Sequence, residues 1–336
     1  SSIENKIFNK IQLNFGELIL PQTKIDHTYA GTQSTGVSTK GTVNRKITKV
    51  EQQITTKEFA VYSKSNEDAN LSSNKSFNNT AVLTTDNKFV SPVIDLSRCG
   101  FITTKNKINN DSTNENSNNS GNALARYISK TVRLSDGQDA QDLKVFIDEK
   151  TPVGSSTKVY GKFLAAEDDA DIRGELDWFE LKEESVPDNQ GLAQTQFIEK
   201  KYTIDNANLN GSDVLEYSVK RVSATTITAG GSGYTTAPTV TFSGGTATRQ
   251  AKGIAVLSSG AVASIIITDP GRYSTSSAAP TITISGGGGS SATATATLGT
   301  TTYTTFKEFA VKIVMLTDNT SNVPQLKNLR AIALQV

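Results

Sequence analysis

Residues 126–169, RYISKTVRLSDGQDAQDLKVFIDEKTPVGSSTKVYGKFLAAEDD, constrain the fold more than any other stretch. Apolar and polar residues alternate there in three runs, 127–134, 143–148 and 158–164. Tyr127, Ile128, Val132 and Leu134 are spaced by Ser129, Lys130 and Arg133; Leu143, Val145 and Ile147 flank Lys144; Val159, Gly161 and Phe163 flank Tyr160 and Lys162. A period of two carried by β-branched and aromatic residues marks half-buried strands. Ser135-Asp-Gly-Gln and Thr151-Pro-Val-Gly-Ser-Ser supply turn chemistry between the runs. The pattern predicts an antiparallel meander with one wet face, as in a β-sandwich.

The remaining runs agree with an all-β class. Residues 10–20, KIQLNFGELIL, predict a strand pair or one strand bent at Gly16, and strand-like alternation resumes over 47–60. Further strands are expected at the start of 59–71, at 81–85, 88–96 and 100–105, at Trp178–Leu181, and over 197–204 and 214–222. Residues 309–316, FAVKIVML, form the most apolar run and are expected to be central. There Val311, Ile313, Met315 and Leu316 should be buried beside 143–147. Residues 329–336 close the chain as a strand. Pro92 inside 88–96 predicts an edge strand or a bulge. Residues 1–9 carry Ile3, Ile7 and Phe8 at helical spacing, enough for a turn or two of helix.

Two segments are too polar to build a core. Residues 21–46 contain GTQSTGVSTKGT and read as a long exposed loop or an extended arm lying on a neighbour, with Ile25, Tyr29 and Val37 as their main apolar residues. Residues 106–122, NKINNDSTNENSNNSGN, read as a mobile loop.

Between 222 and 309 the composition turns to Gly, Thr and Ala, and a unit recurs. ITAGGSGY (227–234) with APTVTF (237–242) is echoed by ITDPGRY (267–273) with APTITI (279–284), and Pro238 to Pro280 is 280 − 238 = 42 residues. A period of this size signals a repeated supersecondary unit. It predicts a two-copy β module, about four strands per copy, inserted into a host domain with strands on both sides. The expected division is 1–55 as N-terminal segment and polar arm, 56–222 as the first part of an antiparallel, jelly-roll-like β-sandwich host, 223–302 as the insert, and 303–336 as the host's closing strands.

Charge and cysteine content exclude several functional classes. Lys plus Arg total 34 against 33 Asp plus Glu, a net charge of +1, with no general pull toward nucleic acid or anionic membrane. A single cysteine, Cys99, allows no internal disulfide and reads as a buried thiol. No run approaches a transmembrane span, and no signal peptide is evident. The chain opens on Ser1, and its first fifteen residues read as the middle of a structure, so it is expected to be the ordered or processed part of something longer.

No constellation of catalytic residues emerges. His27 is the single histidine, and it lacks the context of a nucleophile elbow or the partners of a zinc site. Glu167, Asp168, Asp169 and Asp171 lack the glycine and distal glutamate of a calcium loop and read as a solvated turn, as do Asp136, Asp139 and Asp142. The acids could supply the paired carboxylates of a glycoside hydrolase, but a sugar cleft offers several stacking aromatics and Trp178 is the single tryptophan. Residues 230–233 lack the Lys-Ser/Thr ending of a phosphate loop, and 286–289 read as a flexible turn. Asn-x-Ser/Thr triplets such as Asn78-Asn-Thr80 arise by chance in so asparagine-rich a chain. No catalytic, cofactor or metal residue is therefore assigned, and no cofactor is expected.

Three separated blocks carry a family resemblance: VSPVIDLSR (90–98), ARYISKTVRLSDGQDAQDLKVFIDEKTPVGSSTKVYGK (125–162) and FKEFAVKIVMLTDNTSNVPQLKNLRAIAL (306–334). Their order and content resemble virion structural proteins of T4-like contractile-tailed phages, particularly cyanophages, and are similar to large baseplate-wedge proteins. The resemblance spans roughly 10–222 and 303–336, and the insert interrupts it. The GYTTAPTVT unit (233–241) resembles β repeats scattered through phage tail proteins. The resemblance implies a non-enzymatic tail component located in the virion and made in the host cytoplasm. Its partners would be other tail or baseplate proteins and further copies of itself, with no nucleic acid or membrane. It also implies the C-terminal part of a larger protein or a shorter relative. The alternatives are a peripheral carbohydrate- or receptor-binding module facing host glycan, or a tail-associated glycan hydrolase.

Overall fold

A computed structural model describes residues 10–33, 38–42, 44–46, 60–65, 74–119, 121–184, 192–204, 215–320 and 322–335. They are essentially all β, in antiparallel sheets curled into half-barrels, a sandwich-like arrangement. The predicted helical turns at 1–9 and most of the alternation at 47–60 lie outside the described residues.

The host is built on one eight-stranded sheet. Its order is Gln325–Leu334, Asp142–Lys150, Ile198–Ile204, Phe179–Glu184, Ser155–Leu164, Glu308–Thr317 and Ala125–Ile128, with Val132–Arg133 also pairing to Glu308–Thr317. The sheet folds over so that Leu143, Val145, Ile147, Val159, Phe163, Val311 and Ile313 share one buried core. An isolated bridge, Ala140 to Phe306, ties its two halves.

The expected meander does not form. Asp142–Lys150 and Ser155–Leu164 are separated by two other strands, and Ala125–Ile128 pairs with Glu308–Thr317. Alternation identifies which face a strand buries but not its neighbour. The turn 151–154 carries the chain to the opposite wall of the core instead of closing a hairpin. Likewise Val311 and Ile313 pack in one core with Leu143–Ile147 without pairing to that strand, and Met315 is half-buried.

The predicted wet face is also covered. In Ser155–Leu164 the five residues Val159–Phe163 are all buried, and Glu308–Thr317 is buried nearly throughout. Tyr160, Trp178, Ala310, Val314, Leu316 and Ala123 form a second core on the reverse side. The Asn-rich segment 106–122 closes it. Ile108 is buried, and Glu115 is fully buried with its Oε1 accepting from Ala123 N at 2.9 Å. Side-chain amides replace missing apolar contacts: Asn106 Nδ2 donates to Thr320 O at 2.7 Å, and Asn118 Nδ2 donates to Gly174 O. Low-complexity composition does not prevent order when polar side chains satisfy the backbone in this way.

The polar arm is likewise part of the fold. Thr23–Gln33 pairs with Asn74–Thr85 from Thr23↔Thr85 to Gln33↔Asn74, and with Ser38–Thr42 on its other side. Ile25 and His27, two residues apart, both face inward. A second small sheet runs Asn44–Lys46, Ala60–Ser65, Lys10–Leu18 and Val93–Thr104. Lys10–Leu18 keeps one register with Ala60–Ser65 through Gly16, and the slip against Val93–Thr104 comes from residues 96–99 of that strand rather than from the expected bend at Gly16. The two strands expected at 88–96 and 100–105 merge into one edge strand that starts just after Pro92.

The insert is an eight-stranded sheet curled into an incomplete barrel, with an internal two-fold. Its order is Ala247–Arg249, Arg272–Tyr273, Tyr217–Ser232, Ser290–Tyr303, Thr281–Ser285, Thr239–Ser243, Lys252–Ser258 and Ala261–Asp269. Ala261–Asp269 lies back against Tyr217–Ser232, where Thr225 Oγ1 donates to Ile265 O at 3.3 Å. Thr239↔Ser285 and Ser243↔Thr281 are related by exchange of the copies about Thr241↔Thr283. Thr239↔Ile254 corresponds to Thr281↔Thr295, and Ile254↔Ile266 to Thr295↔Thr226. The bulges match as well: the register slips at Val222/Ala224 in one half and at Val256/Leu257 in the other. Each copy contributes four strands, as expected, interleaved with the other's. Tyr217–Ser232 runs unbroken through the boundary expected at 222/223.

Phe163 depends on a glycine two residues before it. A Cβ on Gly161 would fall 2.4 Å from Phe163 Cζ, and that ring packs on Phe306 with centroids 4.9 Å apart. Gly161→Ala should therefore displace the ring and destabilise the host by about 1–3 kcal/mol, read as a lower urea midpoint with unchanged slope.

Candidate functional site: the charged junction of host and insert

The acidic run 167–171 is a two-faced plug. Ala165, Ala170, Ile172 and Leu176 enter the host core, which fixes the backbone between them. The carboxylates of Asp168, Asp169 and Glu175 then point at three arginines of the incoming strands, Arg221, Arg249 and Arg272.

Asp168 is buried. Arg272 Nη1 donates to both its oxygens at 2.8 and 2.9 Å, Arg221 Nη2 donates to Oδ1 at 2.7 Å, and Tyr217 OH donates to Oδ2 at 3.0 Å. Tyr217 OH in turn accepts from Ala165 N at 2.9 Å, so the hydroxyl links the plug's first residue to its buried charge. Burial raises the Tyr217 phenol well above its ordinary value, and the Asp168 charge adds to this. Asp169 takes Arg221 at 2.6 Å and Arg249 at 2.9 Å. Its partial burial opposes ionisation, but hydrogen bonds and charge from those two arginines outweigh it and hold the carboxyl below its usual value. Arg249 reaches Glu175 at 3.2 Å and Asp269 at 3.4 Å. The predicted solvated turn is thus corrected in part: Asp168 and Asp169 neutralise guanidinium groups, the geometry Arg favours, whereas Glu167 and Asp171 are exposed as expected. Arg221, Arg249 and Arg272 were not singled out in the sequence, where nothing local ties them to the acidic run.

The other acids scatter. Asp136 and Asp139 both approach Lys307, whereas Asp142 is buried beside Lys144 at 2.8 Å, contrary to its expected solvation. No group of three or more His, Cys, Asp or Glu among the described residues is placed to hold a metal ion. His27 is buried against Glu17, its Nε2 hydrogen-bonded to Oε1. Cys99 is half-buried, against the expected burial, with Sγ 3.2 Å from Asp95 O in the looped-out part of its strand. Gly231 and Gly233 adopt left-handed φ of 65° and 80° in the turn, and Gly286–Gly288 do the same opposite them.

Trp178 is buried, not offered to a sugar. Lys162 Nζ and Lys312 Nζ lie 4.7 and 4.9 Å from its ring centroid. Lys312 also stacks over Tyr160 and pairs with Glu115 at 3.0 Å. Burial lowers the Lys162 amine from 10.5 to about 8; Asp177 opposes the shift and the Lys312 charge adds to it. A separate cleft of about 290 Å³ opens at the turn 151–155 between Glu183, Ala193, Gln194 and Lys200. Lys200 spans it, 3.1 Å from Glu183 and 3.6 Å from the buried Glu149. Glu149 is raised by burial, despite hydrogen bonds from Thr157 and Tyr202.

Comparison with protein-family models, curated proteins and solved structures finds no match to this chain.

Asp168→Ala should leave two buried guanidinium groups without their shared carboxylate. The expected cost is about 3–5 kcal/mol, and one cooperative transition should become two as the insert undocks, measurable by calorimetry.

Lys162 yields a pH dependence. Its folded-state pKa lies below the unfolded value, so between about pH 8 and 10 the unfolded chain binds more protons and stability rises with pH. Below that window the cost of the buried charge is fully present. Lys162→Met should flatten this rise relative to wild type in urea titrations across that window.

Proposed function

We propose that this chain is a non-enzymatic structural protein of a contractile phage tail, a baseplate-wedge component that mediates contacts between subunits. One observation carries the reading. The two longer blocks of the resemblance, 125–162 and 306–334, interdigitate in the host sheet: Glu308–Thr317 lies between Ala125–Ile128 and Ser155–Leu164, and Gln325–Leu334 flanks Asp142–Lys150. The two longer blocks therefore share one sheet, on either side of Ile198–Ile204 and Phe179–Glu184, which supports a common domain rather than scattered coincidence.

The use of buried charge supports the same reading. Asp168, Glu115 and Lys312 each bind a segment distant in sequence. Groups spent on internal ties hold a shape and do not face a substrate. The polar arm 21–46, expected as a loop or an arm on a neighbour, and the segment 106–122 are engaged within the chain where described, so contacts fall to surface faces and edge strands such as Ala125–Ile128, where Tyr127 and Ile128 are exposed. An open edge with apolar side chains pairs readily with another chain.

Antibodies raised against the folded chain should label the tail end of purified particles of the encoding phage in electron micrographs. Absence of the chain from purified particles would overturn the reading. Turnover of capsular or lipopolysaccharide glycan by the isolated protein, lost on a single carboxylate substitution, would replace it with the hydrolase alternative.

A further inference from the structure

Segment 106–122 is tied to strand Glu308–Thr317 by a pair of side chains closed off from solvent. Lys312 and Glu115 are 197 residues apart in sequence, yet Lys312 Nζ donates to Glu115 Oε2 at 3.0 Å and also to the Glu115 backbone carbonyl. Their side chains are 2 % and 0 % exposed. The rings of Tyr160 and Trp178, with centroids 4.7 and 4.9 Å from Nζ, wall the amine in. The carboxyl has no room to retreat: a Cβ on Gly121 would fall 2.4 Å from Glu115 Cδ, so the backbone is pressed against it there. Its two oxygens have different surroundings. Oε1 accepts from Ala123 N at 2.9 Å and lies 3.8 Å from Arg126 Nε, while Oε2 faces the amine.

We infer that Lys312 and Glu115 are a site of covalent self-modification, at which the amine and the carboxyl condense to an isopeptide bond. The step needs no outside reagent. One proton passes from the ammonium to Oε2, which leaves a neutral amine beside a carboxylic acid. Nζ then attacks Cδ, and the displaced electron pair moves onto Oε1, where the Ala123 N–H and the Arg126 guanidinium meet the developing charge. A second proton moves from Nζ to Oε2, the Cδ–Oε2 bond breaks, and Oε2 leaves as water while the Cδ–Oε1 double bond re-forms. Water carries off two of the three ammonium hydrogens and the amide keeps the last. Fixed contact supplies the effective concentration that a free amine and acid lack in water, and exclusion of solvent withholds the water that would hydrolyse the product. Burial also lowers the Lys312 amine toward the neutral, nucleophilic form; its contacts with Glu115 oppose the shift and the Arg126 charge adds to it.

Neighbouring buried acids lack one part or another of this arrangement. Asp168 is met by guanidinium groups, which stay protonated and do not attack a carboxyl. Lys144 beside Asp142 and Lys200 beside Glu149 keep 16 % and 20 % of their side chains in solvent. The ring closed by a bond from 115 to 312 contains the whole insert, and it fixes segment 106–122 to the strand it covers. The inference rests on this pair alone and stands apart from the proposed role in a phage tail.

Intact-mass measurement of the purified full chain, followed by tryptic mapping, tests the step. The expected mass is lower than the sequence requires by one water, and the peptides bearing Glu115 and Lys312 are recovered as one branched species, uncut after Lys312. Lys312→Arg keeps a cation opposite Glu115 but has no amine to condense. It should show its full sequence mass and run behind the ringed wild type on a denaturing gel. A wild type of full mass after prolonged incubation in the folded state overturns the inference. So does a water loss that maps solely to Asp136-Gly137 as a succinimide, or a branched peptide that persists in Lys312→Arg.

Discussion

The carboxylate of Asp168 is the point on which the two halves of the molecule depend. It sits in no solvent and accepts from two guanidinium groups and a phenol. Burying a carboxylate costs several kcal/mol unless hydrogen bonds and opposite charge replace water. Here the donors come from the insert's first strand, which supplies Tyr217 and Arg221, and from Arg272 in the short strand Arg272–Tyr273 that follows Ala261–Asp269. The acceptor comes from a host loop whose alanines and isoleucine are fixed in the core. The insert's docking and the loop's conformation are thus one event. Neither the arginines nor the aspartate would be tolerated in place without the other.

The same logic governs the reverse face of the host sheet. Glu308–Thr317 is buried on both sides because the Asn-rich segment covers what would otherwise be solvent. Lys312 alternates out of the main core and meets Glu115, Tyr160 and Trp178 instead. An ion pair between aromatic rings is a poor source of net stability but a strong determinant of geometry, since a displaced partner leaves a bare charge behind. The segment 106–122 thereby holds one position although its composition is that of a loop.

These two features also mark where sequence reading stops. Strand positions, the closing strands and the repeat were legible because side-chain period and turn residues are local signals. Pairing was not: Leu143–Ile147 and Val159–Phe163 look like hairpin neighbours, and only a global arrangement puts them on opposite walls. The acidic run was read as solvated because its partners are not the bases near it in sequence, Lys162 and Arg173. Arg221 and Arg272 lie 53 and 104 residues away. The segment 106–122 was read as mobile because composition measures apolar content and overlooks amide hydrogen bonding. Fold class survives such errors, whereas a candidate site built from distant charges does not.

The repeat carries the argument one step further. In Lys252–Ser258 and Ser290–Tyr303 the inward residues stay small or aliphatic while the outward ones diverge, Ile254 and Val256 against Thr295 and Thr297. Interleaving explains why the inward set is held. Each copy's middle strand pairs with the other's, so a change in one copy's core residue is felt by both. Outward residues carry no such coupling, and a face can change in one half without cost to the barrel. Duplication with interleaving thus separates the positions that make the fold from those free to diverge, and Ile254 and Val256 lie in the second set.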